Sequence, residues 1–187
     1  MSQRISRFEG IVNNIHEYHY HMLGCGAIGS SAAIQITRMG AENVYLYDYD
    51  KVSEPNIGVS QYGYSHLGKY KVDALKHILK DISPYMKVDI EPNEFNGYEE
   101  HDGRDIVILG FDSMKSRLYA VQIMTIKMKA KPFLLIDGRM GAEQYQQYTF
   151  PKFSLSKYIK HWYPDDQGDP EPCSMKATSY CSNMAGS

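Results

Sequence analysis

Cysteine is scarce in this chain. Its 187 residues hold Cys25, Cys173 and Cys181, and no two of them form a C-x-x-C pair. That spacing excludes a disulfide framework and a four-cysteine zinc site, and a reducing cytoplasm is the expected home. Long apolar runs are lacking as well. "DIVILGF" and "PFLLID" are far too short to cross a bilayer, so no membrane association is expected. The opening "MSQRISRFEG" has no apolar core of a signal peptide. Neither sign of charge dominates: a formal net charge of -2 gives no bulk drive toward nucleic acid, and no nucleic-acid partner is expected. What is present is the composition of an ordinary soluble domain, 43% hydrophobic and 22% charged, long enough for one sizeable core. Sixteen tyrosines is a high count, and half-buried packing positions with a wet hydroxyl account for most of them.

Strand and helix patterns alternate along the chain. They predict a three-layer, Rossmann-like α/β domain over 1–187, with a mostly parallel sheet and antiparallel strands toward the C-terminal part. Arg4 to Asn14 reads as a short leading helix, and Tyr18 to Leu23 as a strand. Ala27 to Met39 has helical apolar spacing and is stopped by Gly40. "NVYLYD" is a second strand, followed by the polar "YDKVSEPNIGVSQYGYSH", which is too long for a mere connector. "GKYKVDALKHILKDISP" carries Val72, Leu75, Ile78, Leu79 and Ile82 on one helical face and ends before Pro84. "MKVDIE" and the buried "DIVILGF" are strands, "SMKSRLYAVQIMTIKMKA" a helix, "PFLLIDG" a buried strand and "EQYQQYTF" an exposed one. Pro164 to Pro172 is loop-like, and a helical pattern begins after Cys173.

"GCGAIG" places Gly24, Gly26 and Gly29 between a predicted strand and a predicted helix. Glycines there permit a tight turn and close approach of backbone to phosphate, while the helix start offers free N–H donors and positive potential. Asp48 ends the next strand, where a carboxylate can accept from ribose hydroxyls. These features serve NAD and ATP equally well.

Four further features favour a triphosphate. Asp48 and Asp50 form the doublet "DYD", with Asn56 and Gln61 downstream; "HLGKYKVDAL" puts Lys71 in the first turns of a helix, near where phosphates would lie. Asp112 lies just past a buried strand in "IVILGFDS", on the usual ligand edge of an open α/β sheet, and "LIDGRMGAE" ends another strand with Asp137 and Arg139. Cations for phosphate oxygens and a carboxylate suited to Mg²⁺ are what a triphosphate needs.

In this order "GCGAIGS", "RMGAENVYLYDYDKVSEPN", "LGKYKVDAL", "ISP", "ILGFDSMKSR" and "DGRMGAE" resemble the ThiF/MoeB/HesA family, the ubiquitin-activating-enzyme-like adenylyltransferases. The resemblance implies that ATP activates the C-terminal carboxylate of a small ubiquitin-like or sulfur-carrier protein, or a peptide ending in glycine, as an acyl-adenylate. It implies roles residue by residue: Gly24, Gly26 and Gly29 shape the loop, Asp48 holds the ribose with Asp50 also among the cofactor-binding residues, Asn56 and Lys71 lie by the phosphates, and Asp112 holds Mg²⁺. A homodimer is implied too, with Arg7 as the arginine that such proteins extend into a partner's site.

The sequence also departs from that family. Where an arginine usually follows the Asn56 position by three residues, this chain has Val59. Arg139, or Arg7 of a second subunit, is the expected substitute cation. Cys173 falls where relatives carry a cysteine before their final helix, either a thioester or persulfide carrier or an incidental thiol; Cys181 reads as packing and Cys25 as a small buried filler. His16, His19 and His21 invite a metal reading, but His19 and His21 on one strand face are too few ligands, so they are expected to be satisfied or exposed strand histidines. The family's last helix and closing strands are expected to be missing. An NAD-dependent oxidoreductase, or a nucleotide-binding module without catalysis, remains the alternative.

Overall fold

The computed structural model describes residues 14–141 and 144–167. The expected leading helix, and the roles expected of Arg7, Cys173 and Cys181, lie outside those residues.

Six strands form one sheet: β1 (His19–Leu23), β2 (Asn43–Tyr47), β3 (Lys87–Glu91), β4 (Asp105–Leu109), β5 (Leu134–Met140) and β6 (Tyr145–Phe150). Their spatial order is β3-β2-β1-β4-β5-β6, with every pair parallel except the antiparallel β5–β6. The mostly parallel Rossmann-like sheet with its antiparallel end is thus present. Five helices accompany it among the described residues: α1 (Ala27–Met39), α2 (Glu54–Ile57), α3 (Lys71–Ile82), α4 (Met114–Lys127) and α5 (Leu155–Ile159).

The alternating side-chain directions of a strand feed two cores. Met22, Val44, Leu46, Ile106 and Ile108 pack with α1 and α3 on one face. Leu23, Tyr45, Tyr47, Val107 and Leu109 pack with α4 and α5 on the other. Strands covered on both faces read as continuous apolar runs, which is why "DIVIL" has no polar alternation after its first residue. β6 is an edge strand with only Phe150 buried, in keeping with its alternating pattern. The polar stretch after β2 is not all loop: Ser53 and Asn56 close a capping box that starts α2, and Tyr64–His66 is a 3₁₀ turn.

The chain leaves β1 toward β2 and β3, then returns to the other side of β1 for β4. Between β1 and β4 the strand order reverses, and open α/β sheets bind ligands outside the carboxyl ends of their strands at that point. Here Leu23 stands level with Tyr47 and with Leu109, and Leu109 with Asp137. Register alone therefore brings the four strand ends to one edge.

Candidate nucleotide site

A cleft of about 770 Å³ opens at that edge. Its size is in the range of small-molecule sites. The glycine turn forms its floor. Gly24 has φ +95, and a Cβ there would stand 2.7 Å from the Gly110 carbonyl carbon and the Phe111 nitrogen. A Cβ on Gly29 would stand 1.8 Å from the Gly24 oxygen. Both positions require glycine for the fold of the turn itself. Gly26 differs: a Cβ there meets nothing within 4 Å, and Gly26 faces the cleft. It is the N-cap of α1 and contributes no side-chain cap, so the positive end of a 13-residue helix is left open to the cleft.

Asp48, just beyond β2, accepts from the Cys25 N–H at 2.7 Å through one oxygen and from the Asp50 N–H at 2.8 Å through the other. It thereby ties the glycine turn to the loop after β2. Burial raises its pKa, an effect that Lys71 and the two N–H donors oppose. Lys71, at the first turn of α3, is held twice by one residue. Its N–H donates to the Asp50 carbonyl at 2.9 Å and its Nζ to the Asp50 carboxylate at 2.8 Å. Burial pulls the Lys71 pKa down, but Asp48, Asp50 and Asp112 together outweigh it and leave the ammonium above its usual range. Lys71 is a charged group kept charged although its side chain is only 11% exposed.

Asp112 also lines the cleft, exposed, in the turn between β4 and α4. It makes no hydrogen bond or ion pair among the described residues, which leaves both carboxylate oxygens free to take a ligand. Asn56 and Val59 line the cleft as well. The donor set fits Mg²⁺ brought in on a nucleotide: one uncommitted carboxylate beside phosphate oxygens is the usual arrangement for that ion. Of the residues that sequence reasoning selected, Gly24, Gly26, Asp48, Asp50, Asn56, Lys71, Asp112 and Arg139 share this cleft, while Gly29 supports the turn from behind.

Arg139 lies in the wall with its guanidinium already engaged. Nε and Nη2 donate to Asp137 at 2.9 and 2.7 Å, and Nη1 donates to the His161 carbonyl at 2.6 Å. Burial lowers its pKa, but Asp137, helped by Tyr158 and Tyr163, raises it by more. Arg117 of α4 was not singled out from the sequence, yet it pairs with the same Asp137 and donates to the Leu109 and Phe111 carbonyls. Tyr158 adds a hydroxyl to Asp137 at 3.1 Å. A signal was available: Arg117 interrupts the apolar stripe Met114, Val121, Met124 of α4, and a charge on a buried face calls for a partner. Tyr62 was missed as well. Its buried hydroxyl donates to the Cys25 carbonyl and lies 3.3 Å from the Lys71 carbonyl, which joins the glycine turn to the start of α3. No periodicity marks such a residue within a loop.

Comparison with known proteins places the chain in a family. The profile of the ThiF family matches residues 4–137. Among curated relatives, ubiquitin-like modifier-activating enzyme 5 of Oryza sativa subsp. japonica is 31% identical over 132 residues, 60% of this chain and 31% of the relative. The Bombyx mori protein of the same name is 37% identical over 83 residues, covering 43% of this chain and 21% of its own length. The chain thus spans about a fifth to a third of the curated relatives it matches. Among solved structures, E. coli tRNA N6-threonylcarbamoyladenosine dehydratase, TcdA, in complex with ATP, superposes with TM-score 0.64 at 19% identity, covering 76% of this chain and 61% of that one. PaaA gives TM-score 0.64 at 18% identity over 92% of this chain and 54% of its own. At these identities the likeness is one of fold. The sequence match carries more, since it runs unbroken from before the glycine turn to Asp137 in β5, and on it this chain is a member of the ThiF family.

Proposed function

We propose that the protein is an adenylyltransferase: it binds ATP in the cleft and joins AMP to a carboxylate, releasing pyrophosphate. The observation that carries this reading is the convergence of a buried, charged Lys71 and an uncommitted Asp112 on one cleft floored by an open helix start. A dehydrogenase has no use for that pair. The carboxylate oxygen attacks the α-phosphorus, the bond to the bridging oxygen breaks, and pyrophosphate leaves with the electron pair. The nucleophile is already ionised at neutral pH, so no general base is required. The difficulty is charge, an anion attacking an anion, and preorganised cations offset it.

Within that reading, Gly26 and the first turn of α1 face the phosphates, Asp48 and Asp50 the ribose, and Lys71 with Asn56 the triphosphate oxygens. Mg²⁺ on Asp112 would neutralise phosphate charge. The arginine missing at Val59 is replaced by a property of the β5 wall. Arg117, Asp137 and Arg139 combine two positive charges with one negative, so the buried trio keeps a surplus positive charge beside the cleft. Arg7 of a second subunit would add another in a homodimer.

For the acceptor we propose a small ubiquitin-like or sulfur-carrier protein, or a peptide ending in glycine. The names of the curated relatives support it, whereas TcdA is by its own name a dehydratase of a tRNA nucleoside. Among the described residues no helix is long and apolar enough to cross a membrane; the cytoplasm is the compartment proposed. Cys173 as a later carrier of the activated group belongs to the same proposal.

The test is exchange of labelled pyrophosphate into ATP with Mg²⁺ and candidate acceptors ending in glycine. Exchange is expected, and Asp112→Ala should abolish it while the circular dichroism spectrum stays unchanged. Full exchange in that variant would overturn the assignment. Binding of NADH, or of ATP without exchange, would support an oxidoreductase or a non-catalytic module instead.

A further inference from the structure

Between the middle of β1 and the start of β4 lies an imidazole-rich cluster whose members His21, His101 and Asp105 do not line the cleft. His21, fully buried in β1, brings Nε2 to 2.8 Å from Oδ1 of Asp105, the first residue of β4. His101, on the loop leading into β4, brings Nδ1 to 2.8 Å from the same oxygen. The His101 N–H donates to the other oxygen, Oδ2, at 2.8 Å. The three ligand atoms lie within 4.8 Å of one another.

From this geometry we infer that His21, His101 and Asp105 form a binding site for one borderline divalent transition-metal ion, with Zn²⁺ as the representative. Two imidazoles and a carboxylate are a donor set that zinc takes, with a fourth position left for water. Bonds of about 2.0–2.1 Å at tetrahedral angles place ligand atoms about 3.3 Å apart, so the ion would lengthen the two 2.8 Å contacts to Asp105 by about half an ångström and bring the two imidazole nitrogens, which lie within 4.8 Å, to the same spacing.

What distinguishes the cluster from an ordinary buried hydrogen-bond network is its outer layer. His21 Nδ1 lies 3.3 Å from the Tyr47 hydroxyl, and His101 Nε2 lies 3.1 Å from the Tyr45 hydroxyl. Each imidazole therefore faces Asp105 with one nitrogen and a tyrosine hydroxyl with the other. A hydroxyl both donates and accepts. When metal binds, each ring proton passes from the Asp105 side to the tyrosine side and still has an acceptor. Metal-bound histidines have such a partner on the far nitrogen almost without exception. His19 stacks on the His101 ring at 3.7 Å and shares the Tyr45 hydroxyl at 3.0 Å, which fixes the plane of this partly buried ligand. Entry is through His101, whose side chain is 17% exposed. Two of the ligands stand on neighbouring strands of the sheet centre, so the site is rigid before metal arrives.

The experiment is metal uptake by the chelator-stripped full chain, read by elemental analysis after dialysis against Zn²⁺ and by the visible absorption of the Co²⁺ form. One equivalent and an intense tetrahedral Co²⁺ band are expected. His101→Ala changes a loop residue, and Asp105→Asn keeps the shape of the buried side chain. Each should weaken binding by more than about 100-fold, beyond the loss usual for an outer partner, and Tyr47→Phe by about 10-fold. Failure of the folded wild type to take up metal overturns the proposal. So does an equivalent bound with unchanged affinity in both ligand variants, because the ion would then sit elsewhere in the chain. The readout is bound metal, so neither result bears on adenylation.

Discussion

Gly26 and Gly29 are the same residue three positions apart, and they do opposite jobs. Gly29 is required by packing, since a Cβ there would stand 1.8 Å from the Gly24 oxygen, whereas a Cβ on Gly26 would meet nothing within 4 Å and Gly26 lines the cleft. Gly29→Ala should therefore unfold the turn, with a stability loss above about 2 kcal/mol in urea unfolding. Gly26→Ala, at φ -75, should change stability by less than about 1 kcal/mol and yet weaken ATP binding at least tenfold by isothermal titration. Unchanged ATP affinity in Gly26→Ala would remove the phosphates from this turn. Lys71 makes a related prediction. Lys71→Met should cost little stability, because Asp50 is 49% exposed and can take water in its place and Asp48 keeps its two N–H donors, but should cut exchange by roughly 10²–10³-fold.

At the level of elements, the cleft wall depends on how α4 meets β5. Arg117 donates to carbonyls at the end of β4 and pairs with Asp137 of β5, so one side chain fastens a helix and two strands. Arg117→Met keeps the volume but removes one cation from a buried carboxylate. We expect a loss of about 3 kcal/mol and a fall in melting temperature of roughly 6–12 °C, measured by calorimetry. A melting temperature within about 2 °C of wild type would show that Arg139 and Tyr158 alone satisfy Asp137. Nearly all the elements themselves were legible in the sequence. Helix α1 falls on Ala27–Met39 as expected because Gly40, at φ 114, ends it where no other residue sits comfortably. The polar stretch after β2 was less legible: four residues of α2 are too few for a period, and only the Ser53–Asn56 box marks them.

For the molecule as a whole, the tyrosines decide the alkaline limit. Tyr20, Tyr62 and Tyr158 all titrate above the usual phenol range because burial opposes the phenolate, and the Lys71 ammonium is also raised. A group whose pKa is higher in the folded state holds its proton there while the unfolded chain gives it up. The stability it contributes is fully present below the unfolded pKa and falls as pH rises toward the folded value. The urea midpoint should therefore be level near pH 8 and drop steeply above about pH 10, the unperturbed phenol value. Tyr20→Phe should flatten that fall; an unchanged slope would place the effect elsewhere. Packing as the main role of the tyrosines fits this burial, though several hydroxyls are dry and bonded. Tyr62 and Tyr158 are examples.

The sequence by itself determined the alternation of strands and helices, the glycine turn, and the ordered motifs that mark the ThiF family. Periodicity and turn chemistry act over a few residues, so the chain displays them directly. Which distant groups meet was decided only by the tertiary structure: Arg117 with Asp137 and Arg139, Tyr62 beneath the turn, and His101 with His21 on Asp105. Those meetings follow from strand register and crossover, which bring together residues tens of positions apart, and no local spacing along the chain encodes them.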